Sequence, residues 1–199
     1  MSSLHTLGRW TADRALSTPE RTAIDDRGVP LSYRDLENRS TALARALKEN
    51  GYRRGDRIAT VTGNSADHVV AFFACAKAGL VLVPLSWRLS ARELAAQLAL
   101  ADPALLLVED EFSAVAMEAA ARLALPPPSA PLGRTGVESG PPSPLRRLEE
   151  TGSSGDDVLD NDPLLMVFTS GTEADPKAVV LSHANCFWTN LSLSRTAEI

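Results

Sequence analysis

Between Leu164 and His183 the sequence LLMVFTSGTEADPKAVVLSH sets a compact apolar run against closely spaced hydroxyls, a glycine, a proline and a lysine. Thr169, Ser170 and Thr172 offer rotatable O–H donors, and Gly171 lets the backbone approach a ligand with no Cβ in the way. Successive N–H groups in such a turn make an anion-binding nest. Pro176 stiffens the exit, and Lys177 adds a full positive charge at short reach. The guest that suits this set is a polyphosphate. A Walker loop is the obvious rival, because the spacing from Gly171 to Lys177 fits GxxxxGK. However, Pro176 replaces the second glycine, Ala178 replaces the magnesium-binding hydroxyl, and AVVLSH reads as a strand where a helix is needed. No GxGxxG, HExxH or GxSxG occurs in the chain, which excludes the dinucleotide-fold, zincin and hydrolase-elbow readings. Ser182 and His183 adjoin, but neighbours on a strand point to opposite faces and make a poor nucleophile and base.

The elements that must position this cluster follow from hydrophobic period and turn chemistry. Leu164–Phe168 has the length of a buried strand and delivers Thr169 at its carboxyl end, where ligands gather in α/β sheets. Upstream, SYRDLENRSTALARALKEN places Leu36, Leu43, Ala44, Ala46 and Leu47 on one helical face, with Gly51 placed to stop the helix. GDRIATVT reads as a strand. Asn64 or Ser65 is suited to cap a helix running through Ala78, which Gly79 ends, and LVLVPL reads as a buried strand. Ser90 and Glu93 form a capping box for a helix through Leu100, ALLLVED is another buried strand, and a helix is expected from Glu111 to Leu125. Strands alternating with helices predict an α/β fold with a mainly parallel sheet and right-handed crossovers. Seven of the thirteen prolines lie between Pro126 and Pro144, so that stretch predicts a surface connection. PLRRLEE is read as a short helix beyond it. His183 is expected to start the last helix, and His68 to sit on the surface near a helix cap.

The 199 residues suffice to bury a core, and 44% apolar with 23% charged residues is ordinary globular composition. A net charge of -5 supplies no basic face for nucleic acid or an anionic membrane. Cys75 and Cys186 show no metal spacing and are expected to be buried free thiols. Val69–Leu85 is nearly continuous apolar sequence, yet Lys77, Gly79 and Pro84 fit a buried helix and strand better than a membrane span. The N-terminus carries no apolar core of a signal peptide, so a cytoplasmic protein is expected.

FTSGTEADPKAVVLSHAN resembles the TSGTTGxPKG signature of the AMP-forming adenylating superfamily, which includes acyl-CoA synthetases, nonribosomal peptide adenylation domains and firefly luciferase. The resemblance extends back through LSYRDLENRSTALARALKENGYRRGDRIA, NSADHVVAFFACAKAG and LVPLSWRLSARELAAQLALADPALLLVED. It implies the N-terminal part of the large domain of an acyl-CoA synthetase-like fold. The reaction it implies joins a carboxylic acid, in the first place a fatty acid, to ATP. An acyl-adenylate forms with loss of pyrophosphate, and a thiol, usually that of coenzyme A, then displaces AMP. Thr169, Ser170, Gly171 and Thr172 would cradle the β- and γ-phosphates, Lys177 would oppose charge on the leaving group, and Mg2+ would share that load.

The chain departs from the signature at Glu173, Ala174 and Ala178, where relatives often have threonine, glycine and glycine. If Ala174 needs positive φ, the alanine costs about 1–2 kcal/mol; Ala178 is expected to lie harmlessly in a strand. The expected organisation is an α/β subdomain over 1–125, a Pro/Gly-rich connection over 126–160 and a strand–loop–strand leading into a helix over 161–199. The segments that hold adenine, magnesium and the acyl group in the superfamily have no counterpart here. The chain is therefore read as incomplete, competent only with a further C-terminal portion or a separate chain. The other readings are an inactive truncated relative that serves as a binding module or has no function, and a fragment of an amino-acid adenylation domain.

Overall fold

The computed structural model describes residues 3–133, 158–169 and 176–196. Helix α1 (Gly8–Ser17) leads into an antiparallel hairpin of β1 (Thr22–Asp26) and β2 (Val29–Ser32). The alternation that follows is α2 (Tyr33–Glu49), β3 (Arg57–Thr62), α3 (Ala66–Ala78), β4 (Val81–Ser86), α4 (Ala91–Ala101) and β5 (Leu105–Val108). Helix α5 (Ser113–Ala120), strands β6 (Ser129–Pro131), β7 (Pro163–Thr169) and β8 (Lys177–Ser182), and helix α6 (His183–Thr196) complete the described elements.

The larger sheet has the order β6–β5–β3–β4–β7–β8. All neighbours in it are parallel except β7 and β8, which pair antiparallel. This is the mainly parallel α/β architecture that the alternation of elements predicts. Its central strands β3, β4 and β5 are apolar on both faces because helices cover both. Ile58, Leu82, Leu105 and Leu107 point to the side of α2 and α3, where they meet Leu43, Leu47, Val70 and Ala74. Ala59, Val61, Val83, Leu106 and Val108 point to the side of α4 and α5, where they meet Leu94, Leu98, Ala116 and Ala119. The stretch tested as a membrane span divides into α3 and β4, both inside this core, and no described helix is long and apolar enough to cross a membrane.

Local chemistry sets the boundaries. The Ser65 hydroxyl accepts the His68 N–H at the start of α3, and Gly79 ends that helix with φ 71°. Ser90 and Glu93 form the predicted capping box on α4, and Ser32 with Asp35 forms another on α2. Across the molecule, α1, α2 and α3 are tied by one partly buried network. Lys77 Nζ donates to Glu37 at 2.7 Å and to the Gly8 carbonyl at 3.1 Å, while Thr11 donates to Glu37 at 2.6 Å.

Three local differences from the sequence reading have physical reasons. Helix α5 spans Ser113–Ala120, after a 3₁₀ turn over Asp110–Phe112, and does not reach Leu125. Its end tightens as the N–H groups of Arg122 and Leu123 bond three residues back, ahead of Pro126. Ser129–Pro131, inside the stretch expected to be a connection, adds an edge strand beside β5, a position where proline is readily tolerated. His68 lies half-buried, its Nδ1 2.9 Å from the Thr62 hydroxyl, so its ring belongs to the end of β3 and not to the surface. The helix expected at PLRRLEE lies outside the described residues.

Candidate phosphate-binding hairpin

Strand β7 runs parallel to β4, with Leu82 opposite Leu165, so its last residue, Thr169, emerges at the carboxyl edge of the sheet. Strand β8 returns antiparallel, and Thr169 pairs with Lys177 as the outermost register pair. The Thr169 hydroxyl donates to the Lys177 carbonyl at 3.4 Å. Both residues are exposed, so the two ends of the signature loop sit side by side and open to solvent. Ser170, Gly171 and Thr172, the remaining proposed cradle, lie outside the described residues, as do Glu173 and Ala174. Ala178 pairs with Phe168 within β8 and packs half-buried against the core on the α4 side. A strand position of this kind needs no glycine.

The base of the hairpin is fixed by polar groups, of which Asp160 and Asp162 are not singled out by the sequence. The carbonyls of Asp162 and Asp160 accept the N–H groups of His183 and Ala184 at 3.0 and 2.8 Å, which satisfies donors at the start of α6. Asp162 also accepts from Arg54 and, at 2.8 Å, from the Leu159 N–H. Asp160 binds the N–H and ring of His5 at 2.8 and 2.9 Å. Ser182 caps α6: its hydroxyl accepts the Asn185 N–H at 3.2 Å, and its own N–H reaches Asn185 Oδ1 at 3.0 Å. His183 is wholly buried, and its Nδ1 accepts the Leu7 N–H at 3.1 Å. Ser182 and His183 thus have separate structural duties. His183 begins α6 as the sequence predicts, and the Ser–x–x–Asn spacing is the sequence signal of the cap.

Electrostatics separate this base from chemistry. Burial lowers the pKa of His183 to about 4, outweighing the raising pull of Asp162 and Asp160. His183 is therefore neutral across the physiological range. Burial drives the Cys75 thiol up to about 12, and Cys186 is raised as well, so both are inert interior thiols. Among the described residues no group of three or more His, Cys, Asp or Glu side chains gathers to hold a metal ion.

An open, mainly parallel sheet wound on both faces and ending in an antiparallel hairpin defines a doubly wound α/β domain. The model of one family, described as AMP-binding enzyme, matches residues 11–198, and the chain belongs to that family. A feruloyl-CoA synthase from Amycolatopsis sp is 33% identical over 182 residues, covering 92% of this chain and 34% of that protein. The fatty acid–[acyl-carrier-protein] ligase ScoC of Streptomyces coeruleorubidus is 36% identical over 195 residues, with the same coverage of 92% and 34%. Among solved structures, a protein from Rhodopseudomonas palustris CGA009 assigned as a long-chain-fatty-acid CoA ligase superposes with a TM-score of 0.79 at 26% identity. That match covers 96% of this chain and 48% of the other. The chain spans about one third of the length of the curated relatives it matches. Its fold is that of the acyl-CoA synthetase-like adenylating enzymes.

Proposed function

We propose that this chain supplies the triphosphate-gripping part of an AMP-forming ligase that activates a carboxylic acid, in the first place a fatty acid, and passes it to coenzyme A. The observation that carries the reading is the pairing of Thr169 with Lys177 at the carboxyl edge, because it brings both ends of the signature loop to one place. In this reading the hydroxyls and N–H groups of Thr169, Ser170, Gly171 and Thr172 hold the β- and γ-phosphates, and the Lys177 ammonium opposes charge building on the departing pyrophosphate. The carboxylate oxygen attacks the α-phosphorus, the bond to the bridging oxygen of pyrophosphate breaks, and the mixed anhydride remains for the thiol. Magnesium, with no described carboxylate cluster to hold it, is expected to arrive on the ATP phosphates. The names of two relatives, one a CoA synthase and the other a ligase for a carrier protein, support a thiol acceptor and span both kinds.

Pyrophosphate exchange into ATP tests the reading on a polypeptide of the relatives' full length that carries this chain. Fatty acids, hydroxycinnamates and amino acids form the substrate panel. Exchange that depends on a fatty acid supports the proposal, and dependence on an amino acid alone would replace it with the amino-acid adenylation reading. Lys177→Ala is expected to slow exchange on the order of a hundredfold, the cost of one aimed electrostatic donor. No exchange with any carboxylate would overturn the catalytic reading.

A further inference from the structure

The β7–β8 hairpin lies at the carboxyl edge of the sheet but away from its topological switch point. Ligands settle at the topological switch point, in the crevice outside the carboxyl ends of two adjacent strands whose connections leave in opposite directions. Here those strands are β3 and β5. The chain leaves β3 over the face of α3 to reach β4, and leaves β5 over the opposite face through α5 to reach β6 on the other side. The start of the 13-residue helix α3 borders this crevice, with N–H groups and a positive dipole end suited to an anion.

That crevice already contains an anion. Glu109, the first residue after β5, turns its carboxylate across to the loop after β3. The Gly63 N–H donates to Oε2 at 2.9 Å, and the Ser65 hydroxyl donates to Oε1 while accepting the His68 N–H at 3.2 Å. One carboxylate therefore receives a backbone donor and the helix-capping hydroxyl together. The Phe112 ring lies 3.8 Å from where a Cβ on Gly63 would stand, and it stacks on Trp87 with centroids 5.3 Å apart. The Arg88 guanidinium covers the Trp87 ring at 4.4 Å.

We propose that Glu109 is a resident anion: its carboxylate holds the position a ligand phosphate takes in sheets of this kind and so closes the switch-point crevice to phosphorylated ligands. The closure stands on the Glu109 contacts alone. Its consequence, that nucleotide phosphates are left to the β7–β8 hairpin, rests on the proposed function.

The test is a titration of wild type and Glu109→Ala with inorganic phosphate near neutral pH, read by the amide resonances of Gly63 and Ser65 and by Tm. In wild type these amides are expected to stay in place. In Glu109→Ala they are expected to shift saturably, with phosphate affinity higher by on the order of tenfold or more, the worth of one charge-assisted hydrogen bond. Phosphate should raise the Tm of that variant alone. Glu109→Gln, whose amide fills the same volume, is expected to remain unresponsive. A wild-type response as strong as that of Glu109→Ala overturns the proposal, and so does a folded Glu109→Ala whose amides ignore phosphate. If Glu109→Ala loses its fold in phosphate-free buffer, added phosphate is expected to restore it, and failure to do so at any concentration is equally fatal. Because the probe is inorganic phosphate and the readout lies on β3 and α3, failure of pyrophosphate exchange would count against the adenylation reading and not against this one.

Discussion

His183 shows how much one buried side chain can govern. Its Nδ1 accepts the Leu7 N–H, so the proton of the neutral ring sits on Nε2, which has no hydrogen-bond partner among the described residues. Charging the ring would place a second proton on the nitrogen that now accepts, break the link to Leu7 and bury a cation. Burial accordingly holds the folded pKa near 4, against an ordinary value of 6.5. A histidine whose folded pKa is depressed contributes stability that is complete above the unfolded value and drains away as pH falls from 6.5 toward 4. The linked loss across that window is on the order of 3 kcal/mol. His183→Asn, whose Oδ1 can take over the acceptor role, should lose less stability than wild type over the same window by about that amount, as measured by urea unfolding at several pH values. At this scale Thr169 and Lys177 are legible in the sequence because they lie in one short motif. Glu109 is not, because the residues it binds are 44 and 46 positions away, and no periodicity carries that information.

Elements were legible where their own ends announce them. Ser65 and Gly79 bracket α3, Ser90 and Glu93 open α4, and the apolar face of α2 shows in the spacing of Leu36, Leu43 and Leu47. Helix α1 was missed for the opposite reason: its first residue is glycine, no side chain caps it, and of its own residues only Thr11 is buried. The β1–β2 hairpin was missed too, although its turn places Arg27 and Gly28 at φ 56° and 83° and ties the Gly28 N–H to Asp25 at 2.7 Å. The Asp–Arg–Gly run was the available signal. Gly79 yields the prediction of this scale. With φ 71° and a would-be Cβ only 3.2 Å from Arg54 Cγ, Gly79→Ala meets backbone strain and a displaced side chain together. It is expected to cost about 1–2 kcal/mol, checked by the shift in denaturant midpoint at unchanged m.

At the scale of the whole molecule, the sheet order could not be read from sequence. Alternation of strands and helices predicts a parallel sheet, but the choice of β7 as the neighbour of β4, across the stretch between Pro131 and Pro163, is a long-range fact. Among the described residues that choice leaves β8 at the edge of the sheet, with Val179 and Val180 44% and 53% exposed. Trp188 and Leu193 on α6 are likewise open. An apolar edge of this kind invites pairing between chains. The isolated chain should show concentration-dependent self-association in sedimentation velocity, and Val180→Lys should suppress it without lowering Tm by more than a few degrees.

The union of Leu7 with His183 closes a span of 176 positions, and that of His5 with Asp160 one of 155. Drawing together positions so far apart costs loop-closure entropy, which the buried cluster of Leu7, Ala76, Leu164 and Cys186 beside them offsets only once it has formed. That corner is therefore expected to complete late as the polypeptide folds. On this account the opening residues are a clasp fastened after the sheet is built, and changes at His5 or Leu7 are expected to register in the behaviour of α6 before they disturb the central strands.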